Sequence, residues 1–265
     1  SHRHREHGGQ VTGTRGPIHH GHGDLAVRVR WHPPDFPLRE TAESVLRDSI
    51  RELGLEGVVP DVHVHVDLSN RDDHAYIEWN THDHRAARLS FALGNFVTAA
   101  RRRAWGRTWG RRPGPPPIEP RHFSRRSFAE GCLHEFLHLK DDHEAGVDLA
   151  GHPEADRDAL NELWNVWIDG RLNRRGLPAM SRAERRRVYV RTLGRYPRFP
   201  RTGERIFKAL WAADHLGPTE LRAFLIELQG PAERDADRRH AATRRDTATR
   251  RDTATRRAIR RSRAR

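Results

Sequence analysis

The sequence predicts an α+β fold in which a small mixed β-sheet precedes a group of helices. Two observations carry this prediction. Short segments in the first hundred residues alternate apolar and polar side chains, and a period of two is typical of strands. From residue 121 to residue 230, apolar residues recur at three- and four-residue spacing, which is typical of amphipathic helices.

Strands are predicted at residues 25–31, 62–68, 75–79 and 85–93, and a first helix at Leu38–Leu53. The last of these strands directly precedes the helical part of the chain. We expect it to form a sheet edge beside the active site, where unpaired backbone groups can bind an extended peptide. The alternative is an ordinary strand with no role in substrate binding.

The segment 127–143 reads SFAEGCLHEFLHLKDDH and contains the pattern HExxH. On a helix, His134 and His138 lie one turn apart on the same face, so their imidazoles can share one Zn²⁺. Glu135 adjoins the first histidine, where it can take a proton from a water molecule that the metal acidifies. A chain with 19 histidines can contain such a match by chance. The apolar helical pattern around the motif and the strands before it favour a metal site.

A second long helix is predicted at residues 154–174. Its polar members Glu162, Asn165, Asp169 and Asn173 follow three- and four-residue spacing and therefore form one stripe. Polar residues in an apolar helix are costly to bury unless they find partners. A metal site would provide such partners, and a solvated face is the alternative.

Together these two helices resemble a family of bacterial metallopeptidase domains that often precede a von Willebrand factor A-like domain. The family pattern is HExxHxxxxH, followed after a gap by WNxxxD. In this chain it is matched by His134, Glu135, His138, His143, Trp164, Asn165 and Asp169. The resemblance covers about residues 124–180. It implies a zincin-like fold with an active-site HExxH helix, bound Zn²⁺ and hydrolysis of a peptide or protein substrate.

A catalytic zinc site requires a third protein ligand besides the two histidines. Asp169 is preferred, because it belongs to the WNxxxD pattern and lies on the polar stripe. Glu162 is the second choice, because Asn161-Glu162 resembles the Asn-Glu pair of thermolysin-like enzymes, and His143 is the third. A polar residue that does not bind the metal, Asn165 included, can hold an imidazole by its other nitrogen. The candidates for stabilising the oxyanion are His143, His152, Tyr189 and Tyr196.

Two other functions stay open. The segment 134–144 also resembles the HGxLHLxGxDHE motif of a bacterial rRNA-processing endoribonuclease family. In this chain His138 and His143 are one residue closer than in that family, and Glu135 replaces a glycine. The third possibility is a non-catalytic zinc-binding scaffold protein, for which a closed site with both His143 and Asp169 bound would be typical.

The domain prediction places one zincin-like domain between two flanking segments. Both flanks have compositions that cannot form a core and are predicted to be disordered. The predicted parts are a His/Gly-rich segment 1–23, a domain 24–230 and an Arg-rich repeat tail 231–265. Within the domain, we expect a sheet part 24–100, a Pro/Gly-rich loop 101–120 without regular structure, metal helices 121–175 and C-terminal helices 181–230. The first metal helix is predicted to begin near residues 124–127, and the C-terminal helices are predicted at 182–190, 203–215 and 218–229.

The net charge and the number of cysteines indicate which partners and which cellular compartment to expect. The net charge is +13, and the tail holds many of the arginines, so weak nucleic-acid contact through the tail is an alternative to simple compositional bias. The chain has no apolar run of the ~20 residues that a membrane span needs, so no membrane partner is predicted. Cys132 is the single cysteine. No internal disulfide can form, and a reducing cytoplasm is the expected location.

Overall fold

A computed structural model describes residues 27–70, 75–79, 86–108, 118–147, 149 and 151–230. These residues form an α+β fold with one small mixed sheet and a larger helical part, which confirms the predicted fold class at that level. The segments 1–23 and 231–265 lie outside the described residues, so the prediction of disorder for them stays a prediction.

The sheet contains four strands, which are β1 (Arg28–His32), β2 (Asp61–Asp67), β3 (Ala75–Trp79) and β4 (Ala86–Ala92). Their order in the sheet is β1-β2-β4-β3. β1, β2 and β4 run parallel to one another, and β3 is antiparallel to β4. Valines on alternate positions of β2 are fully or almost fully buried, as its strict alternation predicts.

The prediction that the strand before the metal helix forms a sheet edge is wrong. β4 pairs with β2 on one side and with β3 on the other, so both of its edges are occupied. In the described part of the chain, β3 is the last strand on this side of the sheet. Alternation of side chains reveals a strand but not its neighbours, because strand order depends on pairing between distant segments.

Helices make up most of the remaining described residues. Helix α2 (Ala99–Thr108) contradicts the predicted absence of regular structure in 101–120. The prolines that exclude a helix begin only at Pro113, and the alanines and arginines of α2 favour helix. No helix in the described ranges has the length and apolar character needed to cross a membrane. The helices are α1 (Arg39–Glu52), α2 (Ala99–Thr108), α3 (Arg125–Ala145), α4 (Glu154–Arg174), α5 (Arg182–Leu193), α6 (Phe199–Ala212) and α7 (residues 218–230).

The helix start that differs most from its prediction is that of α6. The structure begins this helix at Phe199, whereas the sequence predicts a start at Gly203. Pro200 occupies the first turn, where its missing N–H costs no hydrogen bond and its fixed φ suits the helix. The predicted bounds of α4 agree with the structure at both ends.

An aromatic cluster fixes α3 on the sheet. The ring of Phe128 lies 5.0 Å from that of Phe91 on β4 and 4.7 Å from that of Phe96 in the following turn. Gly131, one turn further along α3, lies so close to the sheet that a Cβ there would be 3.3 Å from the Phe91 ring. This close approach brings the next turn of α3, which carries the HExxH motif, beside the edge strand β3.

Candidate functional site

Helix α3 presents both histidines of the motif to a cavity. Ser124 caps the helix, because its hydroxyl accepts a hydrogen bond from the N–H of Ser127 at 3.2 Å. Residues on the other side of the helix, such as Phe136, are buried in the core. The rings of His134 and His138 then lie on the cavity side with their centroids 5.0 Å apart.

The two imidazoles converge on one oxygen atom of α4. Nε2 of His134 lies 3.0 Å from Oδ1 of Asn165, and Nε2 of His138 lies 2.8 Å from the same atom. Two ring nitrogens from one helix and an amide oxygen from another therefore face a common point. Asn165 is one of the residues that the sequence predicts as a metal ligand or as a partner of an imidazole.

Asp169 contacts the other ring nitrogen of His134. Its Oδ1 lies 3.0 Å from Nδ1 of His134, and its Oδ2 accepts a hydrogen bond from Nε of Arg185 at 2.5 Å. Burial alone would raise the pKa of Asp169, but the imidazole and the guanidinium together hold it below its usual value. Burial likewise opposes protonation of His134, yet the neighbouring Asp169 carboxylate raises the pKa of that ring. These contacts are typical of a residue that orients a metal ligand, whereas the sequence predicts Asp169 as the ligand itself.

A buried polar network joins α3 to α4 beside His138. The ring of Trp164 packs edge-on against His138 at a centroid distance of 4.4 Å, and its Nε1–H donates to Oδ2 of Asp141 at 2.7 Å. The guanidinium of Arg171 donates two hydrogen bonds to the same carboxylate. Burial, and then the positive charge of a protonated His134 ring, lower the pKa of His138 well below its usual value. The ring of His138 is therefore neutral and keeps a nitrogen lone pair for a metal.

Glu135 lies beside these groups with its carboxyl buried. The residue is 8% exposed, and the N–H of Ile77 on the edge strand donates a hydrogen bond to it. Burial raises the pKa of Glu135 to about 7, an effect that the charge of Asp169 reinforces and that His134 and Arg185 oppose. A carboxyl group with a pKa near neutrality can both accept and release a proton, as a general base must.

The histidines and Glu135 line a cavity of about 800 Å³ between α3, α4, α5 and β3. Glu130, which precedes His134 by one turn on the same face of α3, also lines it. Burial and the charge of Asp169 raise the pKa of Glu130. The cavity is large enough for a segment of substrate beside a metal ion. Other residues of its wall are Tyr76, Leu149, Met180, Val188 and Arg191.

Four of the residues predicted for the site lie outside this wall. His143 is exposed near the end of α3, and His152 and Tyr196 are likewise not part of the cavity lining. Tyr189 is buried, and its hydroxyl donates to the carbonyl of Gly203 at 3.0 Å. The structure therefore does not bring the predicted oxyanion donors to the histidines.

Glu162 reaches the cavity wall but contacts a cation instead of the histidines. Its Oε2 lies 3.5 Å from Nη1 of Arg185. Its Oε1 is buried and has no hydrogen-bond partner among the described residues. Burial raises the pKa of Glu162, although Arg185 opposes this effect.

The donor set suits a divalent metal ion bound by nitrogen and oxygen. The oxygen that faces both imidazoles is the amide oxygen of Asn165. In the described ranges, no group of three or more His, Cys, Asp or Glu side chains is arranged to hold a metal. Around the histidines, the carboxylates of Glu135, Glu162 and Asp169 are buried with one guanidinium, that of Arg185. Three carboxylates and one guanidinium, when all are ionised, carry a net charge of minus two. A cation bound by the histidines would offset part of this charge.

Sequence reasoning missed Arg185. It lies in an arginine-rich segment, 182–191, where nothing in the local pattern distinguishes it from its exposed neighbours. The sequence feature that could have indicated a buried cation lies on a different helix. The acidic residues of the polar stripe of α4 need a cation nearby if they are buried. That requirement predicts that a buried cation exists but does not say which residue supplies it.

No family model, no curated protein and no solved structure matches the chain.

Proposed function

We propose that the protein is a zinc-dependent metallopeptidase with a zincin-like fold. The observation that carries the proposal is the convergence of two imidazole Nε2 atoms and the Asn165 oxygen beside the buried carboxyl of Glu135. His134, His138 and Asn165 would hold the ion. A bound Zn²⁺ would supply Lewis acidity, which polarises a scissile carbonyl and acidifies a water molecule.

The side chains around the ion would have distinct roles. Glu135 takes the proton of the attacking water and passes it to the leaving amine. Asp169 holds His134 by Nδ1, so that Nε2 of the ring faces the ion. We therefore assign Asp169 an orienting role instead of the ligand role predicted from the sequence.

The edge strand supports a peptide as the substrate. β3 borders the cavity and has β4 on one side only, with no further strand beyond it in the described part of the chain. An extended peptide can add to such an edge through backbone hydrogen bonds. The N–H of Ile77 contacts Glu135, which puts this edge next to the proposed base.

The other two functions lack such support. The ribonuclease hypothesis requires His143 to lie together with the other two histidines. The scaffold hypothesis requires a closed metal site in which His143 and Asp169 are both ligands. His143 is exposed and outside the cavity lining, and the carboxylate of Asp169 is held by Arg185. Contact of the Arg-rich tail with nucleic acid concerns residues outside the described ranges and stays a prediction.

The decisive experiment compares the wild type with Glu135→Gln after loading both with zinc. We expect one zinc ion per chain in each protein by elemental analysis. Hydrolysis of unstructured casein should fall by about 10²–10⁴-fold in the variant, the usual contribution of a general base. Glu144→Gln, on the exposed side of the same helix, is the matched control. Undiminished hydrolysis in Glu135→Gln, or cleavage of RNA instead of casein, would refute the proposal.

A further inference from the structure

Arg185 is a buried cation that divides its contacts between two carboxylates of α4. A capping box formed by Ser181 and Glu184 fixes the start of α5, and Arg185 follows in the first turn facing α4. The residue is 6% exposed. Nε of Arg185 donates to Asp169, and Nη1 lies near Glu162. Removing a guanidinium from water is energetically costly, and the burial of Arg185 therefore requires interactions that offset this cost.

Both oxygens of Asp169 are engaged, and they point in different directions. Oδ1 contacts Nδ1 of His134, and Oδ2 is held by Arg185. To reach the Nε2 side of the imidazole, the carboxylate would have to break both contacts. Asn165, one helical turn earlier on the same stripe, faces the Nε2 atoms instead.

The two oxygen donors of α4 are unequal as ligands. A carboxylate attracts a divalent cation by its charge as well as by its lone pairs, whereas the amide oxygen of Asn165 is neutral. Asp169 and Asn165 are four residues apart, so their side chains project from the same face of α4. A free Asp169 carboxylate would therefore be the stronger competitor for the metal.

We propose that Arg185 is a positioning residue that decides which oxygen of α4 faces the metal. It keeps Asp169 on the Nδ1 side of His134 and so reserves the position between the Nε2 atoms for Asn165. The proposal rests on the proposed function, because it takes the bound ion to be zinc. Its consequence is an uncharged set of protein ligands, in which the ion keeps its full positive charge for polarising a substrate.

The test removes the guanidinium without leaving an extra buried carboxylate behind. In the double variant Arg185→Met/Glu162→Gln, Asp169 loses its cation and becomes free to bind the metal. We expect the Kd for zinc, measured by competition with a chromophoric chelator, to fall at least about tenfold, because a charged ligand replaces a neutral one. The kcat for hydrolysis of a fluorogenic peptide should fall at least about tenfold in the same protein. A residue with only a structural role would weaken zinc binding when it is removed.

Two controls connect the effect to Asp169. Glu162→Gln alone leaves the contact between Arg185 and Asp169 in place but removes one buried charge near the histidines. The gain in zinc affinity of the double variant is therefore measured relative to this single variant. Adding Asp169→Asn to the double variant should abolish the gain in zinc affinity. Persistence of the gain without the carboxylate would overturn the proposal.

Asn165→Ala tests the same idea with Arg185 present. If Arg185 holds Asp169 away from the ion, zinc binding should weaken at least about tenfold, because no second oxygen can take over. Zinc affinity that does not rise in the double variant overturns the role of Arg185 and leaves the peptidase proposal standing. Zinc affinity that is retained in Asn165→Ala overturns that role and also the assignment of Asn165 as a ligand. A wild-type protein that binds no zinc overturns both proposals.

Discussion

Replacing Glu135 with glutamine should stabilise the metal-free protein at alkaline pH. Glutamine keeps the size of the side chain and an acceptor for the N–H of Ile77, but it cannot ionise. Burial raises the pKa of Glu135 from 4.5 to about 7, and a tenfold change in a protonation equilibrium corresponds to about 1.4 kcal/mol. The ionised carboxylate therefore lowers the free energy of unfolding by roughly 3 kcal/mol relative to the protonated form.

The pH dependence follows from which state binds the proton. Between pH 4.5 and about 7, the folded state holds a proton that the unfolded state has lost, so this contribution to stability decreases as the pH rises. Above this window Glu135 is ionised in both states, and the full penalty remains. Glu135→Gln should therefore be roughly 3 kcal/mol more stable than the wild type near pH ~8.5, and the two proteins should be nearly equally stable at the lower end of the window.

Urea unfolding followed by tryptophan fluorescence, with a chelator present, measures this difference at the two pH values. Glu144→Gln, whose carboxylate is exposed and pairs with Lys140 on the surface of α3, should unfold with the same pH dependence as the wild type. A difference between Glu135→Gln and the wild type that does not change with pH would contradict the assignment of a buried, destabilised carboxyl. A wild type that is the more stable protein at alkaline pH would contradict it as well.

Three further predictions concern the framework of the site. Gly170→Ala should destabilise the protein by about 1–3 kcal/mol in urea unfolding although alanine favours helix, because the new Cβ would lie 2.5 Å from the carbonyl oxygen of Trp211. Gly57→Ala, with no heavy atom within 4 Å of the new Cβ, is the near-neutral control. Asp141→Ala leaves a largely buried guanidinium without its carboxylate and should cost about 3–5 kcal/mol in the same assay. Asp169→Asn, with Arg185 unchanged, should weaken zinc binding about 10–100-fold by chelator competition, as expected for a residue that orients a metal ligand.

Local patterns predict the secondary structure well wherever apolar residues recur at the spacing of a strand or of a helix. Strand β3 and helix α4 have their predicted bounds, and α3 begins within the predicted interval, where a serine caps it. Prediction failed at α2, because the prolines and glycines after it obscured a short helical stretch of alanine and arginine. It failed again for the neighbours of β4, because the pairing of distant strands leaves no trace in one strand's own composition.

For the candidate site too, local spacing predicts some features, and contacts between distant segments decide the others. HExxH spacing places His134 and His138 on one face of a helix, and the polar stripe of α4 places Asn165 and Asp169 on another, since both follow from 3.6 residues per turn. The stripe does not reveal which of its members meets which ring nitrogen. That choice depends on the crossing of α3 over α4 and on Arg185, which reaches the stripe from a third helix.

The sequence by itself therefore determined the α+β class, the helix that carries the histidines and the set of polar residues able to face them, because each depends on spacing within one segment. Only the tertiary structure decided that Asn165 faces the Nε2 atoms, that Asp169 lies behind His134, that β3 is the edge and that Arg185 is buried among the acids. These features depend on contacts between segments far apart in the chain, which are set by packing of the core and by the need to neutralise buried charge.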